Sequence, residues 1–155
     1  MLTPLPAASV VVLREPYEVL MILRHENSSF VPSAWVFPGG AVDSGDGPPE
    51  DVETFRRAAI REVEEETGIH LTGELVATSR WITPAGMPRR FDTMFFLARA
   101  PQDAVVKLQE QEAIDHQWIE PSAALERHKT GEFPMVFPTI RNLEAIAPFR
   151  SIDEL

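Results

Sequence analysis

One stretch of this chain constrains its fold more than any other. Val52, Phe55, Ala59 and Val63 recur at spacings of three and four, which makes a single apolar helical face, and the pattern stops at Gly68. Prolines and acidic residues just before the stripe suit a helix start, and a glycine suits its C-terminal cap. The pattern therefore predicts a helix over about 50–67. Away from the stripe, Glu62, Glu65 and Glu66 stand three and four residues apart, so their carboxylates fall on one helical surface. Each such like-charge pair costs an isolated helix roughly a few tenths of a kcal/mol. A hard divalent cation prefers oxygen ligands and would turn that repulsion into coordination. A Glu-Val-Glu-Glu-Glu run by itself is more often a solvated acidic face. Here Val63 belongs to the apolar stripe, Gly68 ends the helix at once, and a Trp35-Val-Phe-Pro-Gly-Gly40 turn lies upstream.

The rest of the chain reads as alternating elements. Segments 8–13 and 17–23 are rich in valine, leucine and isoleucine and flank Arg14-Glu15-Pro16, which predicts two strands joined by a turn. The first is apolar on both faces and so belongs at the centre of a sheet. Residues 26–34 are polar and predict a loop running into the glycine pair. Segments 74–82 and 91–98 read as strands around the loop 83–88, 115–119 as a short strand, and 121–129 and 138–146 as helices. Without repeats, linkers or low-complexity tracts, this order predicts one mixed α/β domain over 1–155.

Composition narrows the functions open to such a domain. A length of 155 residues with 44% hydrophobic content supports an ordinary buried core. The formal charge of −10 argues against a nucleic-acid polymer as partner, since binding one needs basic surface. A small phosphate substrate stays open, because a bound cation and a few arginines can reverse the field inside a cleft. The absence of cysteine excludes disulfides, thiolate metal sites and a cysteine nucleophile, and a cytoplasmic location is expected. The first residues lack the basic segment of a signal peptide, and no apolar run approaches the ~20 residues that span a bilayer, so no membrane partner is expected. The sequence holds no Gly-x-Ser-x-Gly elbow, Walker lysine loop, dinucleotide fingerprint or His-Glu-x-x-His helix. Its four histidines, His25, His70, His116 and His128, are scattered and form no ligand pattern.

The run Arg61-Glu-Val-Glu-Glu-Glu-Thr-Gly-Ile69 resembles the second half of the Nudix hydrolase box, Gly-x5-Glu-x7-Arg-Glu-U-x-Glu-Glu-x-Gly-U, with U a bulky apolar residue. Arg61, Glu62, Val63, Glu65, Glu66, Gly68 and Ile69 occupy every specified position. The resemblance implies an α/β/α sandwich with a mixed sheet. It also implies that Glu62, Glu65 and Glu66 hold Mg2+, with Mn2+ as a substitute, and that Arg61 orients their carboxylates. The first half of the box has two readings. Gly47 and Glu53 satisfy its spacing literally, whereas family members take the glycine from the Pro-Gly-Gly turn, here Gly40. Counted from Gly40 the acid is Asp46, and the stretch before Arg61 is seven residues longer than the pattern. We favour Gly40 with an insertion; whether Asp46 or Glu53 supports Arg61 stays open at this level.

Members of the family often carry another acid in a loop before the last strand, and Glu112 is the candidate metal ligand or general base, with Glu110 and Asp115 as rivals for that role and a solvated loop acid weighted at least equally for any one of them. Residues 79–97 resemble a subgroup that hydrolyses coenzyme A and its acyl esters. There Arg89 and Arg90 would hold substrate phosphates, because guanidinium forks match phosphate geometry; a solvated hairpin pair is weighted equally. Gly39 and Gly40 join them as substrate-binding residues. Trp81, Phe95 and Phe96, and likewise Phe133, Pro134, Met135 and Phe137, read as core.

The expected activity is magnesium-dependent hydrolysis of a phosphoanhydride in a small nucleotide-like substrate, with Glu65 or Glu112 accepting the proton of the attacking water. The alternative is a Nudix-fold module that binds a nucleotide and regulates without cleaving it. Either reading leaves a homodimer open.

Overall fold

In the computed structural model, residues 3–25, 33–87, 89–109, 111 and 113–155 are described. Strand β1 (Leu5–Arg14) is apolar in both registers, and the reason is its place between two helical layers. Val10 and Val12 face one core cluster with Phe55, Ala58, Ala59 and Val63; Val11 and Leu13 face another with Phe133, Leu143 and Ile146. Side chains alternate across a strand, so one Val-Val-Val-Leu run supplies both cores.

The remaining elements follow in order: β2 (Glu18–Arg24), β3 (Trp35–Val36), β4 (Gly39–Ala41), a 3-10 turn (Ser44–Asp46), α1 (Val52–Thr67), β5 (Val76–Ile82), β6 (Phe91–Arg99), β7 (Ala113–Ile119), α2 (Pro121–Lys129) and α3 (Phe137–Ile146). The main strand order is β3-β2-β1-β6-β5, with β7 also paired to β2. β1 and β6 run parallel from Leu5↔Phe91 to Leu13↔Arg99, while β5 and β6 form an antiparallel hairpin, so the sheet is mixed. Helix α1 covers one face and α2 with α3 the other. The expected α/β/α sandwich is the observed one.

Two details position the site. β1 pairs with β2 only at Leu13↔Val19 and Arg14↔Glu18, and farther along its length β4 takes that edge at Ala7↔Ala41, Ala8↔Gly40 and Ser9↔Gly39. The strands therefore part, and Gly39–Gly40 occupies the split. Helix α1 then lies against it. Asp51 caps the start of α1 by accepting from Glu53 N at 3.0 Å, and Gly68 ends the helix in the left-handed region at φ 75°, as its sequence position suggested. Burying Phe55 and Val63 on the sheet stabilises the pair of layers by roughly 1.5–3 kcal/mol per side chain.

Three sequence expectations are corrected. The segment 35–40, read as loop and turn, contributes β3 and β4, whose pairing partners are remote in sequence and invisible to local pattern. The last strand begins at Ala113 rather than 115. Pro134 and Phe137, read as core, are exposed, Phe137 at 57% in the first turn of α3 with Trp81 edge-on at 5.6 Å. Most of the loop 26–34 lies outside the described residues. Among the described residues, no helix is long and apolar enough to cross a membrane.

Candidate active site

The polar face of α1 meets the Pro38–Ala41 segment, and the three glutamates do not share one environment there. Glu66 points inward: it is 1% exposed, its Oε1 accepts from Gly39 N at 2.7 Å, and its Oε2 lies 3.5 Å from Arg24 Nη1. Glu62 lies over Gly40 so closely that a Cβ on that glycine would fall 2.5 Å from Glu62 Oε2. A side chain at position 40 would displace the Glu62 carboxylate. The Glu65 side chain is 59% exposed, one turn beyond Glu62. Spacing correctly brought the three to one region of the helix, but the split into a buried, a half-covered and an exposed carboxylate comes from what packs against each.

Arg61 gathers the exposed part of this cluster. Its Nη1 donates to Glu62 Oε1 at 2.9 Å and to Glu65 Oε2 at 3.2 Å, and its Nη2 donates to Ala41 O at 3.1 Å. Nε and Nη2 reach Asp46 Oδ1 and Oδ2 at 3.1 and 2.8 Å. These bonds to Asp46, reinforced by Glu62 and opposed by burial, hold the guanidinium above its ordinary pKa. The hydrogen bond from Arg61, partly opposed by burial, in turn holds the Asp46 carboxyl below its ordinary value. Asp46 is itself fixed: its Oδ2 accepts from Asp43 N at 2.8 Å, and Arg57 Nε donates to its carbonyl at 2.6 Å.

The open question about the first acid is answered geometrically. Asp46 pairs with Arg61, whereas Glu53 pairs with Arg56 on the outer side of α1. Gly40, not Gly47, lies against Glu62; Gly47, at φ 126°, lies against Thr54 and Arg57. The insertion between Gly40 and α1 is absorbed by the 3-10 turn that presents Asp46.

Other predicted residues lie elsewhere. Arg89 and Arg90 sit in the connection of the β5–β6 hairpin, where Arg90 Nε donates to Thr83 O at 3.1 Å and Arg89 lies 5.6 Å from the Phe91 ring centroid. Glu112 and Glu110 lie outside the described residues. Asp115 accepts from His116 N at 2.8 Å. Two residues escaped the sequence reading. Asp43 Oδ2 comes within 3.4 Å of Arg61 Nη1, and Arg24 reaches Glu66. The only hint for Arg24 was a charge closing an apolar strand. It also borders a cleft of about 490 Å³ lined by Leu23, His25, Trp35, Ile114 and Pro134.

The donors here are carboxylate and carbonyl oxygens, which suit a hard cation such as Mg2+. Among the described residues no three acidic or histidine side chains form a ready cage. Glu62 and Glu65 are instead turned onto Arg61, on the same helix as Glu66. The residues therefore fit a divalent ion by chemistry and by placement on one helix.

Comparisons with known proteins bear on the family and the fold. The family model described as NUDIX domain matches residues 3–137. A Caenorhabditis elegans protein named "Putative nudix hydrolase 7" is 28% identical over 184 residues, covering 95% of this chain and 62% of that protein. The acyl-coenzyme A diphosphatase NUDT19 of Xenopus laevis is 23% identical over 235 residues, covering 90% of this chain and 62% of its own. The chain thus spans less than two thirds of these relatives. Among solved structures, a NUDIX hydrolase from Alicyclobacillus acidocaldarius superposes with a TM-score of 0.91 at 25% identity, covering 99% of this chain and 96% of that one.

Proposed function

Because the chain belongs to the NUDIX domain family, we propose that it is a hydrolase that cleaves a phosphoanhydride bond in a nucleoside diphosphate-linked small molecule, with Mg2+ or Mn2+ as cofactor. The observation that carries this reading is the carboxylate set of Glu62, Glu65 and Glu66, organised by Arg61 and seated on Gly39–Gly40. A divalent ion held by these carboxylates would neutralise phosphate charge and acidify nearby water.

The protein's own groups supply the rest. Glu66, fixed in the interior, provides an immobile carboxylate; Glu62 and Glu65 remain adjustable through Arg61. Glu65 is the exposed member and is assigned to accept the proton from the attacking water, with Glu112 as the second acid of the assignment. Water adds to one phosphorus, the bridging P–O bond breaks, and two phosphate products leave. Gly39 and Gly40, which seat Glu66 and Glu62, are assigned to the substrate side of the site, and Arg89 and Arg90, in the β5–β6 connection, to the substrate phosphates.

Coenzyme A and its acyl esters are the first substrates proposed. Support comes from the resemblance of residues 79–97 and from the name of the Xenopus relative. The absence of cysteine suits a reducing compartment, and the cytoplasm is the proposed location.

The test is release of phosphate products from coenzyme A, acyl-coenzyme A, ADP-ribose, dinucleotides and nucleoside triphosphates, with Mg2+, with Mn2+ and with chelator. Metal-dependent cleavage selective for the coenzyme A compounds is the expected result. Tight binding of one compound with no cleavage of any would replace this reading by the regulatory one.

A further inference from the structure

We infer that Arg24 is a positioning residue that sets the Glu66 carboxylate for cation binding, an inference that rests on the metal-dependent reading above. Leu20, Ile22 and Arg24 share one side of β2 by strand alternation, and the first two are fully buried. Arg24 thus takes a position that the pattern reserves for an apolar side chain, and it is 7% exposed. A guanidinium in such a place is costly unless an acid meets it. Glu66 meets it, at 3.5 Å, from a helix that begins 28 residues later in the chain, at Val52.

The local backbone aims Arg24 at that acid. The β2–β7 register shifts between Leu23 and Arg24, and Arg24 N donates to Ala34 O at 3.0 Å, so the strand end is tied to the segment leading into Gly39. Glu66 is then held from two directions: Gly39 N–H orients Oε1 and Arg24 faces Oε2. Of the three box glutamates it alone is buried, so a change at Arg24 reaches the cation through Glu66. Removing an outer partner of a ligating carboxylate typically costs about 10–100-fold in metal affinity. Lysine in place of arginine keeps the charge but loses the planar fork.

The experiment is calorimetric titration of Mn2+ into the full chain without substrate, on wild type, R24Q, R24K, E66Q and the double variant R24Q/E66Q, alongside steady-state kinetics. R24Q should bind Mn2+ about 10–100-fold more weakly and lower kcat with KM nearly unchanged, and R24K should fall between it and wild type. R24Q should cost nothing further once Glu66 is glutamine, because Arg24 acts through that carboxylate. Equal losses with Glu or Gln at 66, unchanged Mn2+ affinity, or a rise in KM alone would overturn the assignment. If R24Q does not fold by circular dichroism, R24K decides, since an unaltered Mn2+ affinity there has the same meaning. A wild type that binds Mn2+ but cleaves nothing ends the hydrolase reading while the titrations still decide Arg24; a wild type that binds no Mn2+ ends both.

Discussion

Arg61 and Asp46, 15 residues apart in sequence, are joined by two parallel hydrogen bonds, Nε to Oδ1 at 3.1 Å and Nη2 to Oδ2 at 2.8 Å. The same guanidinium also holds Glu62 and Glu65. Asp46 therefore sets the arginine, and the arginine sets the two adjustable carboxylates.

Replacing Asp46 with asparagine should cost about 1–3 kcal/mol of stability, the range for a charge-assisted hydrogen bond to a partly buried group. Turnover should fall with it. Glu53→Gln should leave both unchanged, since Glu53 pairs with Arg56 on the outer side of α1. Urea denaturation and the substrate assay check both; equal effects from the two substitutions would contradict the pairing.

The same pair predicts an acid dependence. Asp46 has its folded-state pKa lowered by Arg61, so the stability it contributes is present above the ordinary aspartate value of about 3.9 and is lost as pH falls through the lower folded value. Wild type should lose stability on acidification below about pH 4, and Asp46→Asn should show a shallower slope there. Thermal midpoints recorded between these pH values measure the difference.

Gly39→Ala and Gly40→Ala should separate fold from chemistry. A Cβ at Gly39 would lie 2.2 Å from Ala8 O in the β1–β4 ladder, so that variant should be strongly destabilised. At Gly40 the obstacle is the mobile end of Glu62, which can swing away. Gly40→Ala should therefore fold and yet lose most activity, which circular dichroism and the assay would show together.

Glu65→Gln removes an exposed carboxylate, so stability should change by no more than about 0.5 kcal/mol. Turnover should drop by about 100-fold or more if Glu65 accepts the proton. Near-normal turnover in a folded variant would move that role to another acid, Glu112 first.

On the opposite face, the Tyr17 hydroxyl donates to Ile146 O at 2.6 Å, tying the start of β2 to the end of α3. Burial, aided by Glu154, raises its pKa, so its contribution is present below the ordinary value of about 10 and is lost as pH rises through the folded value. Tyr17→Phe should cost about 1 kcal/mol at neutral pH and lose the alkaline part of the stability profile. Unfolding curves taken on both sides of that value provide the check.

Much of the fold was legible because its signals are local. Helix α1, its glycine cap, the double-faced β1 and the proline-led helices all follow from periods of 3.6 or 2 and from terminal residues, which a chain carries whatever it packs against. The glutamate spacing belongs to the same class. What stayed hidden involves residues that meet only after folding: β3 and β4, the exposure of Phe137, and the contact of Arg24 with Glu66.

The sequence by itself determined that an arginine and three glutamates would ride one helix beyond a Pro-Gly-Gly turn. Only the tertiary structure decided between Asp46 and Glu53, turned Glu66 inward and left Glu65 outside. A helix period states which side chains share a face, whereas the burial and partner of each depend on what another segment brings to that face. Here that segment is Gly39–Gly40, held in the gap where β1 and β2 part and bonded to Glu66 across 27 residues of chain.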